Sequence, residues 1–295
     1  MTPPYRPLAD GEDPGVWGRI FDFDDYGELL SLAQNSLLAG ALLGLVGGLV
    51  GVFVILRDLP FAVHGVSELS FAGGAAALLL GLNIVAGSIV GSLLAAGAIG
   101  VLGVRARDRN SIIGILLPFG LGLGVLFLSL YQGRAANKFG ILTGQIIAVD
   151  TPRTAWLVGT SLVVLIALAV VWRPLTFASV DPQVAEARGV PVRGLSFAFM
   201  LVLGLAVALC VQIVGALLVL SLLVTPAAAA ARVTSSPVLL PALSVLFALV
   251  SMEGGILLAL GSSVPISPYV TTISFVIYLV CRLAGSPAPR RRAHT

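Results

Sequence analysis

Charge is scarce in this chain, and its most versatile carriers are nearly missing. Only 11% of the 295 residues are Asp, Glu, Lys or Arg, against about 25% in ordinary soluble domains. There is one lysine, Lys138, and it stands in no Gly-Lys-Ser/Thr step, which excludes a P-loop. Any ATP hydrolysis tied to this chain must therefore come from another one. The two histidines, His64 and His294, form no Ser/His/Asp or His-rich set, so the chain does not read as an enzyme. The two cysteines, Cys210 and Cys281, have no metal-type spacing and imply no disulfide framework. The net charge of +3 arises from residues set between apolar runs, which argues against nucleic acid as a partner.

What fills the chain instead is apolar. Hydrophobic residues make up 58% of it and the mean hydropathy is +1.04, the composition of an integral membrane protein. Long apolar runs in lipid must be helical, because a helix satisfies its own backbone. The fold class is therefore all-α, a polytopic membrane bundle. The 34 glycines suit close helix packing in a bilayer, and the apolar Gly40–Gly51 run reads that way rather than as a phosphate cradle. Nine apolar segments are expected, at roughly 33–56, 61–82, 84–104, 111–131, 154–172, 194–211, 213–231, 237–260 and 268–284. Gly and Pro interrupt the second and the seventh, so eight or nine spans are expected. The membrane domain is 33–284, between an acidic segment 1–32 and a basic tail 285–295. The acidic segment lacks the apolar core of a signal peptide. Its Trp17, Ile20, Phe21 and Phe23 suit either a surface-lying helix or a plain tail.

Basic residues give the orientation. Twelve arginines (57, 105, 107, 109, 173, 188, 193, 232, 282, 290, 291 and 292) follow the odd-numbered segments. The opposite side has five basic residues, Arg6, Arg19, Arg134, Lys138 and Arg153. Cytoplasmic loops carry such an excess, which predicts an external N-terminus and a cytoplasmic C-terminus in the cell's inner or plasma membrane.

Three ionisable residues stand well inside the apolar segments. His64 and Glu68 are one helical turn apart and share a face. An imidazole and a carboxylate so placed suit a divalent transition metal. Two ligands are too few for a structural site, which takes four, and that suits an ion that must also leave. The plainer reading is a pair hydrogen-bonded to neighbours near a helix start. Glu253 lies mid-segment, where a carboxylate costs roughly 2.5–3.5 kcal/mol on insertion scales. It is a further candidate metal contact or a purely structural partner of His64. Cys210 is a possible soft donor but reads more simply as a small hydrophobe; Gln212 marks the outer end of the sixth segment. Arg134, Lys138 and Asp150, around Gly144 and Gln145, are candidates for a docking rim or for a solvated loop.

The loop Arg173–Arg193 holds a helix signature. Asp181 is an N-cap, Pro182 suits the first helical position and Gly189 suits the stop. The run Asp181, Pro182, Gln183, Ala185, Glu186, Arg188 and Gly189 reads as a short cytoplasmic helix, either a plain connector or the point where an attached motor pushes.

Four stretches carry a family resemblance. They are 56–68, Leu-Arg-Asp-Leu-Pro through His64 to Glu68; the capped helix with Pro191-Val192-Arg193; Val214-Gly215-Ala216-Leu217-Leu218-Val219 leading to Thr225-Pro226-Ala227-Ala228-Ala229; and Pro265-Ile266-Ser267-Pro268. With these the chain resembles the permease subunit of metal-importing ABC transporters, the family that takes up zinc, manganese or iron(II). Zinc and manganese are the leading choices. The resemblance covers about 33–284. It implies a fold like that of the vitamin B12 importer's membrane subunit, and a pathway formed with a second copy of the chain. It also implies a cytoplasmic ATP-binding subunit at the Asp181–Gly189 helix, and an extracytoplasmic metal-binding protein. No cofactor is held permanently; the metal is cargo. Gly215 and Pro226 are read as helix-packing positions. One departure is clear: the family usually has Asp and then His four residues on, whereas here His64 comes first and Glu68 second. Metal preference is therefore open. The competing readings are a permease for a metal chelate, which needs a wide apolar path, and an ATP-independent secondary transporter, which usually shows more intramembrane charge and inverted repeats.

Overall fold

The computed structural model describes residues 27, 30, 33–103, 106–133, 151–260, 262 and 265–285, without the side chains of 106–108, 151–153 and 217. Expectations for most of segment 1–32, for Arg134, Lys138, Gly144, Gln145 and Asp150, and for the tail beyond Gly285 lie outside the described residues.

In chain order the helices are α1 (Gln34–Leu56), α2 (Pro60–Leu79), α3 (Ile84–Leu102), α4 (Ala106–Leu130), α5 (Thr151–Val180), α6 (Pro182–Ala187), α7 (Val192–Val214), α8 (Val219–Leu223), α9 (Thr225–Val233), α10 (Leu239–Leu260) and α11 (Ile266–Ala284). Eight of them, all except α6, α8 and α9, are long and apolar enough to cross a bilayer. There is no strand among the described residues. The fold is thus the expected all-helical membrane bundle. Helices α1, α2 and α7 form its buried centre; α4, α5 and α11 expose most of their surface.

Small residues set the seams. A methyl group on Gly48 would lie 2.6 Å from the Cα of Val245, so α1 and α10 pack backbone to backbone. Ser244 Oγ donates to the Gly48 carbonyl across that seam at 2.7 Å. Going along α1, Gly40, Gly44 and Gly48 meet Ile256, Leu249 and Val245, so the two helices are antiparallel. Helix α11 then returns along α10, with Gly254 against Ile273 and Gly255 against Val270. Leu56 and Ala284 therefore share one end of the bundle, and Gln34 and Ile266 share the other.

The seventh apolar segment runs the depth of the bundle, but not as one helix. Ser267 Oγ donates to the Val214 carbonyl, Ser274 Oγ to the Ser221 carbonyl at 3.1 Å, and Arg232 reaches the Tyr278 hydroxyl at 3.3 Å. Residues 214–232 thus run the length of α11 and parallel to it. Two breaks interrupt the pass. Gly215 ends α7 at φ 87°, ψ 157°, a conformation essentially reserved for glycine. Pro226, second in α9, has no N–H to continue the α8 ladder. Gly215 and Pro226 act here as backbone breaks, a more specific role than helix packing. The second segment, by contrast, is continuous. Eight long helices and one broken segment thus run from end to end of the bundle among the described residues, and Gln34 and Ala284 lie at its opposite ends.

One boundary differs from expectation. The fifth helix does not stop near residue 172 but runs to Val180, past Pro174. Thr176 and Ser179 donate to the Trp172 and Leu175 carbonyls at 2.8 and 2.6 Å. Hydropathy fades at Arg173, but the backbone stays helical past the apolar run, and the two hydroxyls are satisfied on its own carbonyls.

Candidate functional site

Helix α2 begins in a tight turn. Asp58 takes φ 55°, which Asp tolerates better than most residues. The Leu59 N–H donates to the Val54 carbonyl at 2.9 Å, and Pro60 then starts the helix. One turn in stands His64, and one turn further Glu68. His64 Nδ1 is 3.8 Å from Glu68 Oε1, with side-chain exposures of 38% and 8%. That gap is too long for a hydrogen bond, and His64 Nδ1 has no other partner. Two donors sharing one tetrahedral ion, with bonds of about 2.0–2.2 Å, stand about 3.4 Å apart. The pair is therefore close to the spacing of a shared ion without any backbone movement. His64 opens on the surface and Glu68 lies beneath it.

The neighbouring helix supports the pair. Gly65 faces Ile113 of α4, and a methyl group on Gly120 would lie 2.9 Å from the Glu68 carbonyl carbon. Helix α4 thus lies directly on the Glu68 backbone, and bulk at residue 120 would displace one from the other. Gly120 carried no signal in the sequence beyond being one glycine among many.

Glu253 is elsewhere. Its Oε1 faces Gly40 in the α1–α10 seam and has no hydrogen-bond partner. Gly40 is sixteen residues from the end of α1, and Glu68 eight from the start of α2. At about 1.5 Å per residue the two carboxylates stand on the order of 12 Å apart along the bundle. Among the described residues, no group of three His, Cys, Asp or Glu side chains gathers within one chain. Cys210 is fully buried in the apolar core, as a small hydrophobe would be. Gln212 lies two residues on, its Nε2 buried without a partner near the end of α7.

The short helix forms as its sequence dictates. Asp181 accepts from the Val184 N–H at 3.0 Å, which caps α6. Gly189 takes φ 82°, and the Val190 N–H donates to the Ala185 carbonyl at 3.0 Å, closing the C-terminus. Ala185 is buried, while Pro182, Gln183, Glu186 and Arg188 are exposed.

Arg57 turns out to be more than a topological marker. One guanidinium nitrogen donates to Ser179 Oγ at 3.3 Å and another to Ser196 Oγ. Its cationic carbon stands 6.0 Å from the centre of the Phe199 ring. Burial, with Arg109 nearby, pulls its pKa below the usual arginine value, and the ring face partly offsets that cost. Phe53 completes the cluster, edge-on to Trp172 and Phe199 at 4.8 and 5.7 Å. Arg109 in turn donates to the Asp58 carbonyl at 3.4 Å.

An all-helical chain with eight helices long and apolar enough to cross a bilayer is of the class of polytopic membrane proteins. The model of the ABC 3 transport family matches residues 30–284, and the chain belongs to that family. It is 31% identical over 239 residues to the manganese transport system membrane protein MntC of Halalkalibacterium halodurans, covering 80% of this chain and 81% of that one. It is 26% identical over 248 residues to the high-affinity zinc uptake system membrane protein ZnuB of Haemophilus influenzae, covering 83% and 94%. Among solved structures, PsaBC from Streptococcus pneumoniae in complex with Fab superposes with a TM-score of 0.78 at 27% identity, covering 91% of this chain and 98% of that one.

Proposed function

We propose that this chain is the permease subunit of an ATP-driven importer of a divalent transition metal, manganese or zinc, with His64 and Glu68 as transient ligands or gate on the route. The observation that carries this reading is the pair itself: 3.8 Å apart, with His64 Nδ1 unpartnered. The names of the manganese and zinc relatives favour the same cargo. Two donors hold an ion loosely; a second copy of the chain, its pair facing the first, completes a set of four. ATP hydrolysis belongs to a separate cytoplasmic subunit seated at α6, and an extracytoplasmic binding protein delivers the metal. The end of the bundle that bears Arg57, Arg109, Arg188, Arg193, Arg232 and Arg282 faces the cytoplasm, which puts the N-terminus outside and the C-terminus inside.

The test is uptake of manganese and of zinc into proteoliposomes holding the chain with its ATPase. His64→Ala with Glu68→Ala should abolish uptake of the cargo ion while membrane insertion and ATPase assembly persist. Wild-type uptake by the double variant would remove the pair from the mechanism. Glu253→Gln is a separate arm: uptake unchanged by it takes Glu253 off the route.

A further inference from the structure

The exposed helix α6 hangs between two legs, the end of α5 and the start of α7. Ser179 stands three residues before Pro182, and Ser196 five residues after Pro191. Arg57 holds both legs at once through their hydroxyls, and its guanidinium carbon stands 6.0 Å from the centre of the Phe199 ring on the second leg. Each hydroxyl is pre-aimed, because each also donates to its own helix, Ser179 to Leu175 and Ser196 to Val192 at 2.7 Å. Arg57 itself is not on either leg. It closes α1, and three residues later α2 begins, with His64 one turn in. The Asp58–Pro60 turn has little slack: Asp58 sits at φ 55°, its carbonyl takes Arg109 of α4, and Leu59 is tied back to Val54. Helices α2 and α4, which carry and back the pair, are therefore anchored at one end to the frame that holds α6.

We infer that Arg57 is a positioning residue that links the α6 frame to the helix carrying His64 and Glu68, so that displacement of α6 is transmitted to the pair. This rests on the permease reading given above. Arginine suits the place because its planar guanidinium spreads separate N–H groups toward two hydroxyls in a fixed fork beside a ring; an ammonium is a compact point charge without that fork.

The experiment measures metal ions moved per ATP hydrolysed, and metal bound without nucleotide, for the assembled transporter in proteoliposomes. Arg57→Lys keeps the charge and should lower the transport-to-hydrolysis ratio roughly fivefold or more, the low end of coupling between sites. Metal binding without nucleotide should stay at the wild-type level. The pair Ser179→Ala with Ser196→Ala, which leaves Arg57 in place, should lower the same ratio and decides the matter where the lysine variant does not assemble. A wild-type ratio in an assembled Arg57→Lys transporter, or in the double serine variant, overturns the inference. So does a parallel loss of metal binding, which would make Arg57 part of the site's scaffold. Failure of the permease reading appears differently, as wild-type uptake when His64 and Glu68 are both alanine.

Discussion

Gly120 meets the Glu68 backbone so closely that a single methyl group at residue 120 would stand 2.9 Å from the Glu68 carbonyl carbon. Neither atom in this contact is a flexible side-chain end, so the strain cannot be relieved by a rotamer change. Gly120→Ala should force α4 off α2, at a cost of about 1–3 kcal/mol typical of overpacking, and disturb the pair with it. The matched control lies on the same helix: a methyl group on Gly114 or Gly122 meets nothing within 4 Å. Thermal unfolding in detergent, with metal uptake alongside, should separate Gly120→Ala from Gly114→Ala and Gly122→Ala. Equal melting and uptake in all three would mean that the seam is looser than this contact implies.

Gly215→Ala should damage the seventh pass. At φ 87°, ψ 157° an L-residue with a Cβ is strained by about 1–3 kcal/mol. The expected result is a lower melting temperature and reduced yield of folded protein. An unchanged melting curve would show that the chain after α7 reroutes without penalty.

Helix α6 should depend on its caps. Asp181→Ala removes the acceptor for the Val184 N–H, worth about 0.5–2 kcal/mol. Gly189→Pro demands φ near −65° where the chain has 82°. The double variant should lose co-purification with the ATPase, or lose metal-stimulated hydrolysis, while whatever metal binding the unaltered chain shows is kept. Normal assembly and normal stimulation together would reduce this helix to a connector.

Orientation has a direct test. In a background with Cys210 and Cys281 replaced by alanine, Tyr5→Cys should react with an impermeant maleimide in intact cells. Ala293→Cys should react only after permeabilisation. The reverse pattern, or equal labelling of both, would overturn the assignment made from the basic residues.

What the chain's order of residues determined by itself is local. Continuous apolar runs long enough to cross a bilayer become helices, since a helix satisfies its own backbone there and the other solution, a closed barrel, takes short strands of alternating polarity. The cap of α6 lies within reach of its own next turn, so Asp181, Pro182 and Gly189 are readable without a fold. His64 and Glu68 share a face by helical periodicity alone. Tertiary structure decided whatever joins residues remote in the chain. Whether the Gly- and Pro-interrupted segment 213–231 crosses at all depended on α11 running beside it. Glu253 stood in sequence as a further candidate beside Glu68 or as a partner of His64, yet helix packing sets it in a different seam, because a hydropathy pattern gives depth but not neighbours. Gly120 became distinct from Gly114 only when α4 was laid against α2. Arg57 looked like one basic residue among twelve on its side, until folding brought it to hydroxyls 122 and 139 residues away; no local pattern encodes such a contact, since it depends on where three helix ends meet.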